Sequence, residues 1–330
     1  MKNCLFPLCV ALLIGGSCLP SNQQASSMEE PSNPSSGALP QVTQGRIERI
    51  EKFPSQEVTA RHVDVWLPEG YPEAGPYAVL YMHDGQMLYD AASTWNQQAW
   101  EVDEVAAQLQ AKGTVPPFIV VGVWNGGDTR HADYFPQRPF EQLTAAERDT
   151  VVAQLQRAGR TKEVFTPQSD AYLRFLVEEL KPHIDSSFAV HTDRAHTFVV
   201  GSSMGGLISM YALCEYPEVF GAAACLSTHW VGTFTLENNP MPQAFIGYLQ
   251  QSLPDPAQHR LYFDCGDQTL DALYPDLQRQ VDQVMQAQGY DTSQWLTRYF
   301  PGEDHSEAAW SARLTVPLKF LFLGDQFNQR

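Results

Sequence analysis

One stretch of 17 residues, 197–213, constrains the fold of this chain more than any other. The apolar run Thr197-Phe198-Val199-Val200 leads into Gly201-Ser202-Ser203-Met204-Gly205, and LISMYAL follows at helical spacing. G-x-S-x-G alone is a weak signal, because roughly one chain of this length in ten carries it by chance. Between a buried strand and a helix it becomes a strand–elbow–helix unit, whose sharp turn presents Ser203. Side chains at Gly201 and Gly205 are expected to collide with the backbone of that turn, and Gly206 should ease close helix–strand packing. Such a unit demands a buried parallel sheet, so the rest of the chain should alternate strands with helices.

It does. Tyr77–Met82, Phe118–Trp124 and Gly221–Leu226 are nearly continuous apolar runs, the pattern of strands buried on both faces. Arg46–Phe53 and Arg61–Leu67 alternate polar and apolar residues and read as two antiparallel strands with one exposed face. Arg260–Phe263 and Trp295–Phe300 bring the set to about eight. Helices are expected over Trp95–Ala111, Asp170–Ile184 after a Ser169 N-cap, Met204–Glu215, Leu270–Gln288 ending at Gly289, and Ser306–Leu323. This alternation predicts an α/β three-layer sandwich with a mostly parallel sheet. Gly126–Thr166 and Ser227–Pro256 fit it poorly; both follow strands and read as substrate-facing loops or a partial lid.

Composition narrows the partners. With 43% hydrophobic and 18% charged residues, the chain is not disordered as a whole. The net charge is −17 and no Lys/Arg-rich run occurs, which argues against nucleic acid and against adsorption to an anionic membrane through a basic patch. The N-terminus reads as an address. Lys2, the apolar run Cys4–Ile14 and Gly15-Gly16-Ser17 predict a secretory signal over 1–17. Cys18 follows small residues, as a lipidated cysteine does in bacterial lipoproteins, although Gly15 stands where Leu is usual. Residues 18–44 read as a flexible Ser/Pro-rich tether, with one domain over 45–330. The expected location is extracytoplasmic: periplasmic or at the cell surface as a lipoprotein, alternatively secreted. Cys214, Cys225 and Cys265 remain beyond the signal and Cys18; three is odd, so at least one thiol should be free, with one disulfide left open.

Ser203 needs a base, and the base needs an orienting acid, in the chain order Ser, acid, His. Of the downstream histidines, His305 lies in the turn after the last strand, where it can reach Ser203. His259 precedes its strand and belongs at the opposite edge, and His229 follows a strand and can face substrate. The acid should follow the strand at 260–263. Asp271 is favoured because it opens the next helix and can point back over the sheet; Asp267 stays open. The oxyanion donors expected are the backbone N–H groups of Met204 and of Gln86, in the loop His83-Asp84-Gly85-Gln86-Met87. Arg130, Asp133 and Tyr134 are candidate substrate contacts or, equally, loop-bracing groups.

These residues carry a family resemblance. VDVWLPEGYP, VLYMHDGQMLYD, VVGVWNGGDTRHADYFP, VVGSSMGGLISMYALCEYPEVFGAAACLS, FDCGDQTLDALY and GEDHSEAAW resemble the esterase D and enterochelin-esterase-like α/β-hydrolases, relatives of feruloyl and acetyl-xylan esterases. The resemblance covers about Arg46 to Leu323. It implies an α/β-hydrolase fold, a Ser–acid–His triad, no metal or other cofactor, and carboxylic-ester hydrolysis through an acyl-enzyme. Ser203 and His305 match its motifs, and the TLDALY segment supports Asp271. Feruloyl-type relatives place an acid three residues after the Gly, where this chain has Thr269, so Asp267 is not excluded. The implied substrate is an ester, of the acylated polysaccharide or oligosaccharide type (feruloyl or acetyl) or another small ester. Alternatives are a siderophore esterase, an acyltransferase, or a non-catalytic ligand-binding lipoprotein on the same scaffold.

Overall fold

The computed structural model describes residues 38–162, 164–324 and 327, together with Met1. The expected signal over 1–17, Cys18 and the first part of the tether, 18–37, lie outside the described residues. Eight strands form one sheet in the order β1-β2-β4-β3-β5-β6-β7-β8. They are β1 Arg46–Phe53, β2 Arg61–Leu67, β3 Ala78–His83, β4 Phe118–Val123, β5 Thr197–Ser202, β6 Ala222–Leu226, β7 Arg260–Cys265 and β8 Trp295–Tyr299. β1 pairs with β2 and β2 with β4 antiparallel; every other pairing is parallel.

Side-chain alternation sends successive residues of each strand into two cores, one on either face. Val199 of β5 joins Tyr81, Val121 and Phe263 on one face, whereas Phe198 and Val200 join Leu80, Val120 and Tyr262 on the other. Both faces are covered, so apolar residues at both parities are what burial requires. The antiparallel pair at the edge differs from expectation: β2 is buried on both faces because it lies between β1 and β4. Its polar Asp64 is satisfied there by Arg49 at 2.6 and 2.8 Å and by the Trp124 indole N–H at 2.8 Å.

The helices are α1 Val102–Ala111, α2 Arg130–Tyr134, α3 Gln137–Glu141, α4 Ala145–Arg157, α5 Ser169–Arg174, α6 Lys181–Ser187, α7 Met204–Glu215, α8 Met241–Ser252, α9 Pro275–Ala287, α10 Glu307–Arg313 and α11 Thr315–Leu323. Five features depart from the sequence reading, the first being that α9 begins at Pro275 and not at Leu270, because residues 269–273 form a separate 3-10 turn. Residues 95–101 are not helical, because Glu101 takes a left-handed φ of 53° before α1. Ser169 is the first helical residue rather than the cap, and its hydroxyl accepts from Gln137 N instead. A π-helical turn, Phe175–Leu180, joins α5 to α6. The last helix is split at Leu314, with Ser306 capping its first part. The two stretches read as loops contain α2–α4 and α8; α4 opens with a capping box between Thr144 and Glu147.

Residues 38–44, expected to be the end of the flexible tether, make specific contacts. Thr43 N donates to the buried Asp103 carboxylate at 2.7 Å, Gln41 N to Asp90 at 3.1 Å, and Gln44 O accepts the Trp66 indole N–H at 2.8 Å. Among the described cysteines no disulfide forms: Cys214, Cys225 and Cys265 are free thiols.

Candidate active site

β3 and β5 are neighbours at the centre of the sheet, and chain direction reverses around them: β4 lies on one side of β3 and β5 on the other. Ligands of open α/β sheets bind beyond the carboxyl ends of strands at such a reversal. Ser203 sits there, between β5 and α7, with φ 55° and ψ −121°. A non-glycine residue at positive φ is costly, about 1–3 kcal/mol, and persists only where neighbours over-determine it. The neighbours are visible. Ser203 N donates to Leu226 O at 2.9 Å, and Ser203 O accepts from His229 N at 3.2 Å. A Cβ on Gly201 would lie 2.5 Å from the Gly205 carbonyl, so the turn closes only with glycine at 201. Gly205 differs from expectation. Its Cβ would meet the side chains of His83 and Asp84 at 3.3 Å rather than backbone, so its role is to let α7 approach the loop after β3.

The structure brings Asp271 and His305 together. Asp271 Oδ1 is 2.6 Å from His305 Nδ1, and the carboxylate is fully buried. Asp271 lies in a tight helical turn, Thr269–Leu273, that precedes α9. Its other oxygen accepts from Gly266 N at 2.7 Å and from the Ser227 hydroxyl at 2.6 Å. Asp267, the alternative, points elsewhere: it is exposed and accepts from Tyr299 OH at 2.6 Å and Gly302 N at 2.9 Å. The His305 ring stands edge-on to Trp310 at 5.0 Å and to Tyr274 at 5.8 Å. Its backbone N–H donates to Thr269 Oγ1 at 3.0 Å. With Nδ1 committed to Asp271, Nε2 is the ring nitrogen left for proton transfer. His259 lies at the far edge, as expected, with its nitrogens on Asp255 O and Pro217 O.

Gln86 belongs to a short 3-10 turn, Gly85–Met87, which Asp84 opens in the left-handed region at φ 56°. A Cβ on Gly85 would be 2.5 Å from the Gly122 carbonyl, so this turn lies directly on β4. Gln86 Oε1 accepts from Asn125 N at 3.2 Å, tying the turn to the loop after β4. Met204 opens α7, so its N–H has no acceptor within that helix. Arg130 grips Asp84 through two bonds of 2.7 and 2.8 Å, and Asn125 adds a third at 2.7 Å. Burial alone would raise the Asp84 pKa; the Arg130 guanidinium and these hydrogen bonds outweigh it and hold the carboxyl below its usual range. Asp133 is paired with Arg61 at 3.1 Å and Thr129 at 2.8 Å, and Tyr134 OH accepts from Asp84 N at 3.3 Å. Of the two roles open to Arg130, Asp133 and Tyr134, the contacts present are bracing ones. Asp133 and Tyr134 are buried and offer a substrate no accessible surface.

His229 is fully buried beside Ser203. Its Nδ1 lies 2.7 Å from Tyr274 OH, and its Nε2 has no partner among the described residues. Burial pushes its pKa well below that of free imidazole, so the ring is neutral, and the rim-exposed Phe234 lies 5.3 Å from it. Sequence reasoning passed over Tyr274, Ser227, Trp310 and Arg313. Ser227 Oγ receives Trp310 Nε1 at 3.0 Å and Arg313 at 2.9 Å, and Arg313 continues to the buried Asp264 at 3.0 Å. Tyr274 and Trp310 lie inside the TLDALY and GEDHSEAAW segments, the one signal that could have pointed to them.

Comparison with known proteins places the chain in a family and gives the fold its neighbours. A family model described as "Putative esterase" matches residues 58–321. The ferri-bacillibactin esterase BesA of Bacillus subtilis is 23% identical over 181 residues; the match takes in 53% of this chain and 56% of that one, so this chain spans about half the length of that relative. Among solved structures, a ferulic acid esterase superposes with a TM-score of 0.59 at 20% identity, covering 85% of this chain and 99% of its own. The enterobactin esterase FES of Shigella flexneri superposes with a TM-score of 0.61 at 17% identity, covering 86% of this chain and 60% of its own.

Proposed function

Because the chain belongs to this esterase family, matched over residues 58–321, we propose that it is a serine carboxylic-ester hydrolase working through an acyl-enzyme. The observation that carries the reading is the 2.6 Å contact between Asp271 and His305 at the carboxyl edge where the Ser203 elbow stands. Ser203 Oγ attacks the ester carbonyl and His305 Nε2 takes its proton. Asp271 holds the ring in the tautomer with Nδ1–H and stabilises the imidazolium. The N–H groups of Met204 and Gln86 receive the oxyanion. His305 then protonates the leaving alcohol, and water repeats the sequence on the acyl-enzyme.

The substrate class we propose is an aryl or acetyl ester on a saccharide, supported by the likeness to an endo-1,4-beta-xylanase/feruloyl esterase, 25% identical over 232 residues; a siderophore ester is the second reading, supported by likenesses of similar strength. Phe234, exposed and 5.3 Å from the buried His229 ring, is the proposed aromatic wall for the acyl group; His229 itself is buried and supports that wall from behind. The N-terminal pattern of Lys2, Cys4–Ile14 and Cys18 supports export with a lipid anchor.

The test is hydrolysis of p-nitrophenyl acetate and of feruloylated xylo-oligosaccharide by residues 19–330, beside the Ser203→Ala variant. Turnover and fluorophosphonate labelling that vanish with Ser203 are the expected result. Hydrolysis that survives in the variant would sink the mechanism. Equal rates on a catecholate trilactone and on the feruloyl ester would sink the saccharide assignment alone. Mass spectrometry of the mature N-terminus decides the anchor: an unmodified Cys18 refutes it.

A further inference from the structure

Far from Ser203, the loop that leads into β5 carries the sequence His191-Thr192-Asp193-Arg194-Ala195-His196. Its two histidines and one aspartate are the one group of metal-ligating side chains that converges among the described residues, with their donor atoms all within 4.8 Å of one another. The imidazole rings stack, centroids 3.9 Å apart and 15° from parallel. His196 Nδ1 lies 2.9 and 3.0 Å from the two Asp193 oxygens. His191 Nδ1 lies 4.0 Å from Asp193 Oδ2, beyond hydrogen-bond length, yet on the same carboxylate. Hydrogen bonding orients His196, and stacking on it turns His191 Nδ1 toward the same carboxylate, where it lacks a hydrogen bond to Asp193.

The backbone beneath the cluster is fixed. His191 N donates to Tyr77 O at 2.9 Å beside the bridge between Tyr77 and Val190. Lys181 Nζ holds Thr192 O at 3.0 Å, and Asp193 O accepts from His196 N and from Thr197 Oγ1. The adjacent Arg194 guanidinium bonds Gln258 at 2.8 Å. The side chains themselves are 32%, 55% and 41% exposed for His191, Asp193 and His196, so they are free to rotate. Ligands around a tetrahedral zinc at about 2.1 Å stand about 3.4 Å apart. Exposed rings reach that spacing by small side-chain rotations, with no change in the core.

We propose that His191, Asp193 and His196 form a surface site for one divalent transition-metal ion of the zinc class. Two imidazole nitrogens with one carboxylate oxygen suit zinc(II) and its neighbours; calcium and magnesium call for more oxygen ligands. Three protein ligands leave a coordination position for water or for a group from another molecule. The six residues of β5, at about 3.3 Å each, put the site about 20 Å from Ser203. It is therefore independent of the hydrolytic reading, and metal occupancy changes thermal stability rather than turnover.

The experiment is isothermal titration of tag-free protein, residues 19–330, with zinc chloride, and separately with magnesium and calcium chloride, followed by thermal melts with and without zinc. One zinc per chain at micromolar affinity is expected, with a raised melting temperature. The His191→Ala/His196→Ala double variant should bind at least tenfold more weakly while melting like the parent in chelator. Asp193→Asn should also weaken binding without altering the metal-free melt. Zinc binding that is unchanged in the double variant overturns the assignment, as does no one-to-one zinc binding by the parent. Equal binding of magnesium or calcium overturns the metal class.

Discussion

Ser227 is held at φ 42° behind Asp271, the proposed acid, where its hydroxyl donates to Asp271 and takes bonds from Trp310 and Arg313. Replacing it by alanine removes one donor from Asp271 and leaves two buried donors short. Ser227→Ala is therefore expected to lower stability by about 1–3 kcal/mol, measured by urea unfolding, and to lower kcat roughly tenfold with KM unchanged. The two loop aspartates make a sharper contrast. Asp271→Asn is expected to lower kcat by about 10⁴-fold, because the wrong imidazole tautomer then faces Ser203, whereas Asp267→Asn should change it less than about twofold. A result with the two reversed would reassign the acid. At this scale the positions of Ser203 on the elbow after β5 and of His305 in the turn after β8 were legible in the sequence, because each is fixed by what flanks it. The choice between Asp271 and Asp267 was not, because it depends on the turn that Thr269 makes at φ 53°. Ser227 was invisible for a similar reason: its three partners come from segments 44, 83 and 86 residues away.

The strands were read from the chain to within one or two residues, since burial on both faces leaves the central ones almost wholly apolar and each buried carboxylate there, such as Asp64, needs its own partners. Helix boundaries were not, because they depend on single backbone angles such as that of Glu101, and no pattern of apolar residues encodes those. The π-helical turn at Phe175–Leu180 is likewise silent in the sequence: the apolar residues continue through it. The contact between the turn after β3 and β4 also needs the assembled sheet to be seen. Gly85 and Gly122 lie back to back, and a methyl group on Gly85 would stand 2.5 Å from the Gly122 carbonyl. Gly85→Ala is expected to cost about 1–3 kcal/mol and to cut hydrolysis, by pushing the Gln86 N–H off the oxyanion position. Circular dichroism and p-nitrophenyl acetate turnover check the two effects separately. Gly247, with open space around it and no positive φ, serves as the control for a glycine-to-alanine change without a clash.

Over the whole molecule, buried histidines set the response to acid. Burial drives the pKa of His83 down to about 4 and that of His131 down to about 3, with nearby arginines adding to the effect. In the unfolded chain both titrate near 6.5. The unfolded state thus binds more protons once the pH drops below about 6.5, and the stability these neutral rings contribute is present above that value and lost progressively toward pH 4. The urea midpoint should be flat from pH 8 to 7 and fall steeply below 6.5, and His131→Phe should shallow the fall. A midpoint that holds constant down to pH 5 would contradict this. Net charge and composition carry no sign of this acid sensitivity, which follows from three-dimensional burial. The contacts of residues 38–44 carry a practical consequence for where the chain can be cut. Asp103 has no exposed surface, and its Oδ2 is satisfied by Thr43 N, Thr43 Oγ1 and Gln44 N. A shortened version starting at β1, where the sequence suggests the folded part begins, would strand a buried carboxylate and uncover the Trp66 indole. Expression boundaries, protease sites and fusion junctions therefore belong ahead of Ala38, whose carbonyl is the outermost contact to Arg49.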